Sequence, residues 1–205
     1  MSENKSLSHN RKKDFLSKEV EHIDITSFDA RKIISSMEKM SFASRETANA
    51  ANIFNEMIKD KECTIFLTLA GSTSAAGCMH VYRDMVKYNM VDAIIATGAS
   101  IIDMDFFEAL GFKHYQGSQF QNDTELRENY IDRIYDTYID EDELQKCDKI
   151  ISEIADNLEP RSYTSREFIH EIGKYLKSNA KKKESLIEVA YDNNVPIFCP
   201  AFTDS

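Results

Sequence analysis

Cysteine is scarce, and the four present, Cys63, Cys78, Cys147 and Cys199, form no CxxC pair. Nor do they share a zinc-type spacing with histidine, so no metal is expected. They read as the buried, reduced thiols of a cytoplasmic protein. Basic residues are outnumbered: 25 Lys and Arg against 35 Asp and Glu leave a formal charge of −10. That argues against a nucleic-acid partner, which would require a basic patch or stripe. The local runs Arg11–Lys13 and Lys181–Lys183 read as solvated helix ends. No apolar run is long enough to span a bilayer, and Met1–Lys13 is too polar for a signal peptide. Internal repeats and low-complexity segments are absent. The lack of tryptophan decides nothing by itself.

What is present is organised around Thr64–Gly117. Two short aliphatic runs, Thr64–Leu69 and Val91–Ala96, each end in Gly/Ser/Thr residues, and the residues between them have helical spacing. This is the signature of a β-α-β unit, whose ligands bind beyond the carboxyl ends of the strands. Upstream, Ala30, Ile33, Ile34, Met37 and Met40 recur at spacings of three and four, which predicts an amphipathic helix. Thr26–Ser27 would cap it, and Ser44 a second helix reaching about Lys59 with Ala50, Phe54, Met57 and Ile58 buried. A short helix over Met104–Leu110 should end at Gly111.

Phe112–Asn122 reads as an irregular loop and Asp123–Asp142 as helix plus loop. Amphipathic helices follow over Glu143–Leu158, after Thr164 or Ser165, and over Ser185–Tyr191. Val195–Cys199 is a third strand. The fold class is α/β, a Rossmann-like parallel sheet flanked by helices, with residues 1–14 as a disordered tail and 15–205 as the domain. A parallel strand should be followed by a covering helix, yet only Pro200–Ser205 follows this one. The sheet therefore reads as incomplete at the C-terminus, with exposed apolar surface and poor stability expected.

Three strand-end segments, Ala70–Gly77, Thr97–Asp103 and Pro200–Ser205, can line one crevice. Their backbone N–H groups and hydroxyls suit a pyrophosphate or a ribose, although neither GxGxxG nor GxxxxGK[ST] is matched. Asp103 and Asp204 are the nearest carboxylates, with helix capping an equal alternative for Asp103. His80 and His114 are expected to be structural, and Cys78 and Cys199 have no activating base.

The ordered segments FLTLAGSTSAAG, VDAIIATGAS, FFEALG, HYQG and VPIFCPAFTD resemble the deoxyhypusine synthase family, especially its archaeal or synthase-like branch, from about Val20 to Ser205. The resemblance implies a cytoplasmic homotetramer. It implies NAD-dependent transfer of the 4-aminobutyl group of spermidine to a lysine of the hypusine-containing translation initiation factor. Carried over by position, it assigns NAD contacts to Gly71, Ser72, Thr73, Ser74 and Ala75, to Thr97, Gly98 and Ala99, and to Asp103 and Asp204. Asp103 also contacts spermidine. Ile102 stands where the family has a first, adjacent acidic residue, which leaves a cationic amine one partner short. The family's catalytic lysine has no match among Lys174 or Lys181–Lys183. The chain thus resembles the N-terminal part of the enzyme and is expected not to turn over alone. Two other readings stay open: a paralogue making another polyamine of the homospermidine type, and a catalytically inactive partner subunit.

Overall fold

The structure is a computed structural model and describes residues 11–202. Its centre is a parallel sheet in the order β1-β2-β6, made of Phe66–Leu69, Ala93–Ala96 and Ile197–Phe198. The three strands fall within the predicted runs and are shorter at their ends. β1 and β2 are joined by Ser74–Cys78, a π-type turn kinked at Gly77, which runs into helix α4, Met79–Lys87. Ala75, Met79 and Val86 of this segment are buried, as the spacing required.

Parallel register places Leu67, Ile94 and Ile197 side by side, and Thr68, Ile95 and Phe198 side by side. Successive residues of a strand point to opposite faces, so these two rows define the two faces of the sheet. The first row packs into the main core with α4, α8 (Ser165–Asn179) and α9 (Leu186–Asp192). The second row is open: Ile95 is 37% and Phe198 36% exposed, and Phe66 is 57% exposed. The expected uncovered apolar surface is therefore present among the described residues.

A second sheet was not foreseen. His114–Gln116 (β3), Ile131–Ile134 (β4) and Thr137–Asp140 (β5) form an antiparallel sheet in the order β3-β5-β4. It corrects the loop expected over Phe112–Asn122 and the helix plus loop over Asp123–Asp142. Of the latter, Asp123–Glu128 is helix (α6), capped by Asn122, and the final two residues, Glu141 and Asp142, already belong to the next helix. The β4–β5 hairpin turns at Tyr135–Asp136, with Tyr135 at φ +55°. Tight hairpin turns favour Asn-Gly or Asp-Gly at such positions, and this turn carries no glycine.

The first helices also depart from expectation. Residues 11–15 form a helical turn (α1) rather than a tail, held by Arg11–Glu125 and by Lys12 on Asp140 and Asp142. Residues 1–10 of the expected tail lie outside the described residues. Helix α2 is Arg31–Met37 and has no side-chain cap; Asp24, not Thr26 or Ser27, caps the short 3₁₀ turn before it. Helix α3, Ala43–Lys59, starts after Phe42 without a side-chain cap, so Ser44 lies inside it. Its apolar side is poorly covered: Ala48 is buried, Phe54 and Met57 are half-buried, and Ala50 and Ile58 are exposed. On α2, Ile33 is 66% exposed.

Helix α7, Glu141–Asp156, and α8 follow the predicted segments. Thr164 and Glu167 make a reciprocal capping box on α8, which satisfies two otherwise unpaired backbone donors. Among the described residues no helix is long and apolar enough to cross a membrane.

Candidate functional site

β1 and β2 are parallel neighbours, and Leu69 pairs with Ala96 at their carboxyl ends. The segments that follow therefore leave the sheet at one edge. Thr97 N–H donates to Leu69 O at 3.2 Å, and Ser100 Oγ donates to Gly71 O at 3.3 Å. These bonds tie Gly71–Ala75 to Thr97–Ser100. The second segment is not the expected loop: Ala99–Phe106 is π-helical and continues into Phe107–Ala109 (α5). Wide π-type turns recur at functional sites, and both segments here have one.

Neither Thr73 nor Gly98 caps its turn with a side chain, although Thr97 Oγ1 accepts the Ser100 N–H of the second turn at 3.3 Å. Helix starts leave N–H groups in need of acceptors and carry the positive end of the helix dipole. Gly71 has φ +74°, and a Cβ there would meet nothing within 4 Å, so its backbone is open to approach. Gly71, Thr73, Thr97 and Ala99 are exposed and Ser72 half-buried, while Ser74, Ala75 and Gly98 lie beneath them. Ser74 Oγ is buried with no hydrogen-bond partner among the described residues. Thr73 Oγ1 meets Tyr82 Oη at 2.7 Å, a support for the first turn that the sequence did not announce.

Asp103 does not cap a helix, because it sits inside the π-helical segment. It is half-buried, and its carboxylate has no hydrogen bond or ion pair among the described residues. Burial, with the Asp148 charge adding, pushes its carboxyl up to about 6. Ile102 is 4% exposed and belongs to the main core. Its carbonyl faces Cys147 Sγ at 3.8 Å. Burial pushes the Cys147 thiol up to about 12, so it is a packing group and not a nucleophile. Burial also raises Cys199. Asp204 lies outside the described residues. Beside β6, a cavity of about 760 Å³ is lined by Thr164, Ser165, Phe168, Cys199, Pro200 and Phe202 among others; it does not reach Gly71 or Thr97.

Two acids in the run IIDMDFFEAL were passed over. Asp105, 1% exposed, accepts the N–H groups of Leu186 and Ile187 at 2.8 Å each and so anchors the start of α9. Glu108 accepts from His22 Nε2 at 2.6 Å, His114 Nδ1 at 2.9 Å and Lys182 Nζ at 2.9 Å. Burial alone would raise its carboxyl, but the bonds from His114, His22 and Lys182 overcome this and hold it well below the usual carboxylate range. Acids inside an apolar run are a usable signal, since a buried charge needs partners. His114 is fully buried in this cluster, in the structural role expected, and Lys182 is not merely a solvated helix end.

The family model for deoxyhypusine synthase matches residues 32–205. A Caulobacter vibrioides deoxyhypusine synthase-like protein is 66% identical over 203 residues, covering 98% of this chain and 55% of the relative. One from Coxiella burnetii is 65% identical over 204 residues, covering 98% of this chain and 58% of the relative. The chain thus spans about half the length of these curated relatives. The crystal structure of an Entamoeba histolytica protein provisionally named a deoxyhypusine synthase matches with TM-score 0.61 at 22% identity, covering 90% of this chain and 63% of that one. That likeness supports the fold. With the family model covering most of the chain and the relatives following it almost end to end, the chain belongs to the deoxyhypusine synthase family.

Proposed function

We propose that the edge formed by Gly71–Ala75 and Thr97–Ala99 holds NAD, and that the protein takes part in NAD-dependent transfer of the aminobutyl group of spermidine. The observation that carries this reading is the meeting of two helix starts at one sheet edge, joined through Ser100 and Gly71. Helix starts present N–H groups and a positive dipole end to which an anionic pyrophosphate binds. The exposed backbone at Gly71 and the unpartnered Ser74 hydroxyl fit the same group. Bound there, NAD would supply a hydride acceptor for amine oxidation. Asp103, in the middle of the π-helical segment, is the carboxylate assigned to the amine. Asp204 is assigned to the cofactor by family resemblance, and assembly as a homotetramer belongs to the same reading.

The acceptor named first is a lysine of the hypusine-containing translation initiation factor. A free diamine, giving a homospermidine-type product, is the second reading. It is favoured by Ile102, which is apolar and buried where the family pattern has an acid. Calorimetric titration with NAD, comparing the native chain with Ala99→Asp, tests the cofactor edge. A carboxylate placed at the helix start should weaken binding at least about tenfold by like-charge repulsion. Equal affinity in the two proteins would sink the assignment. Mass analysis of products from spermidine and NAD, offered the factor or a free diamine, separates the two acceptors.

A further inference from the structure

Residues 18–23 cross the molecule as a strap. Gln116 N–H donates to Lys18 O at 2.7 Å, Val20 N–H to His114 O at 2.8 Å, and Glu19 bridges Tyr115 in antiparallel fashion. The strap then passes over the kink of the Ser74–Cys78 turn, where Ile23 N–H donates to Gly77 O at 2.9 Å. Gly77 has φ +96°, and a Cβ there would lie 2.7 Å from Glu21 O. Only glycine permits this approach without strain. The same strap delivers His22, its side chain 2% exposed, to Glu108.

His22 Nε2 is committed to Glu108, and His22 Nδ1 is buried without a partner among the described residues. The other face of the knot is His80 of α4, whose ring lies 4.6 Å from that of His22. The groups around it come from five elements. They are His22 on the strap and Asp24 on its continuation, His80 and Arg83 on α4, Asp105 and Glu108 on the segment through α5, His114 on β3, and Lys182 and Glu184 on the loop before α9, with the Asp24 and Glu184 carboxylates partly offsetting Arg83 and Lys182. Glu108 already answers Lys182 and both histidine donors. A proton added to His80 therefore arrives beside Arg83 and Lys182, against a ring whose free nitrogen is buried.

We propose that His22 and Glu108 form a latch that holds the strap on the Ser74–Cys78 turn, and that protonation of His80 releases it. Releasing the strap exposes His80 to water and separates it from His22, so the open form takes up the proton more readily. The imidazole sits at about 4 in the closed form, lowered by burial and by Arg83, His22 and Lys182, against an ordinary value of 6.5. A lowered histidine favours the closed form fully above pH 6.5 and progressively less as pH falls toward 4. The turn so released is the one that carries Ser74 and Ala75, but the latch stands independently of any cofactor bound there.

Hydrogen exchange of the full chain at pH 7.5 and 5.5, with rates corrected for intrinsic exchange, tests this. The amides of Val20 and Ile23, together with residues 74–80, should lose protection relative to α8 by roughly tenfold at pH 5.5, the ratio that the shift from 6.5 to about 4 allows. In His80→Asn the two pH values should give the same protection. In His22→Ala the strap should exchange freely at both, with α8 unchanged as the folding control. Strap protection that does not change between pH 7.5 and 5.5 would overturn the latch. So would a pH dependence that survives in His80→Asn, a result that needs no information from His22→Ala.

Discussion

The two faces of the parallel sheet are built from nearly the same residue types and meet opposite fates. Ile94 is 0% exposed and Ile95, its neighbour in the same strand, is 37% exposed. Leu67, Ile94 and Ile197 lie under α4, α8 and α9, while Thr68, Ile95 and Phe198 face outward. Parallel strands are ordinarily apolar on both sides because helices cover both. Here the strands have that two-sided composition, and the described residues cover one side. An apolar residue in a strand thus records what the sheet is built to meet. What actually meets it is a property of the packing.

The largest test of this comparison is Ile94→Ala, which removes buried contacts on the closed face and should cost about 2–5 kcal/mol in chemical denaturation. Next is Gly173→Ala. Gly173 lies where α8 touches α9, and a Cβ there would be 2.7 Å from Tyr191 Cβ. Overpacking this cover should cost about 1–3 kcal/mol; no loss would show that α9 yields and that the closed face is less tightly sealed. Asp105→Asn probes the anchor of the same cover. An amide in place of the carboxylate leaves a buried N–H₂ without an acceptor, worth about 1–3 kcal/mol.

Asp105 also carries a pH signature. Burial raises its carboxyl to about 6 despite the N–H bonds of Ile187 and Leu186. A raised carboxyl contributes stability below its unfolded value and loses it as pH rises through about 6. The native chain should show this component between pH 4 and 6, and Asp105→Asn should lack it. The smallest effect is expected at Ile95→Ala on the open face, about 0.5 kcal/mol or less. Ile95→Lys should meanwhile reduce binding of a fluorescent apolar dye. A cost at Ile95 equal to that at Ile94 would mean the open face is covered in solution, and the comparison would fail.

Much of the sheet and its helices was legible because their signals are local. The runs at Thr64–Leu69 and Val91–Ala96, the periodic apolar face of α8 and its cap at Thr164 each need only a few consecutive residues. The antiparallel sheet was not legible, because the hairpin turn at Tyr135–Asp136 lacks the glycine that normally marks such turns and β3 is only three residues long. At the site, the strand-end positions of Gly71–Ala75 and Thr97–Ala99 implied that the two segments leave the sheet at one edge, as they do. Their π-helical form and the Ser100–Gly71 bond did not show, since both depend on two strands lying side by side.

The strand-end places of the small-residue segments, the one-sided helices and the family kinship of Thr64–Gly117 were determined by the sequence by itself, through spacing and residue type. Only the tertiary structure decided that Asp105 anchors α9, that Glu108 gathers His22, His114 and Lys182, and that Ile94 is sealed while Ile95 is open. The physical reason is range. Periodicity and turn chemistry act over a few residues, whereas Asp105 and Glu108, with His114 excepted, find their donors 74 to 86 positions away in the chain.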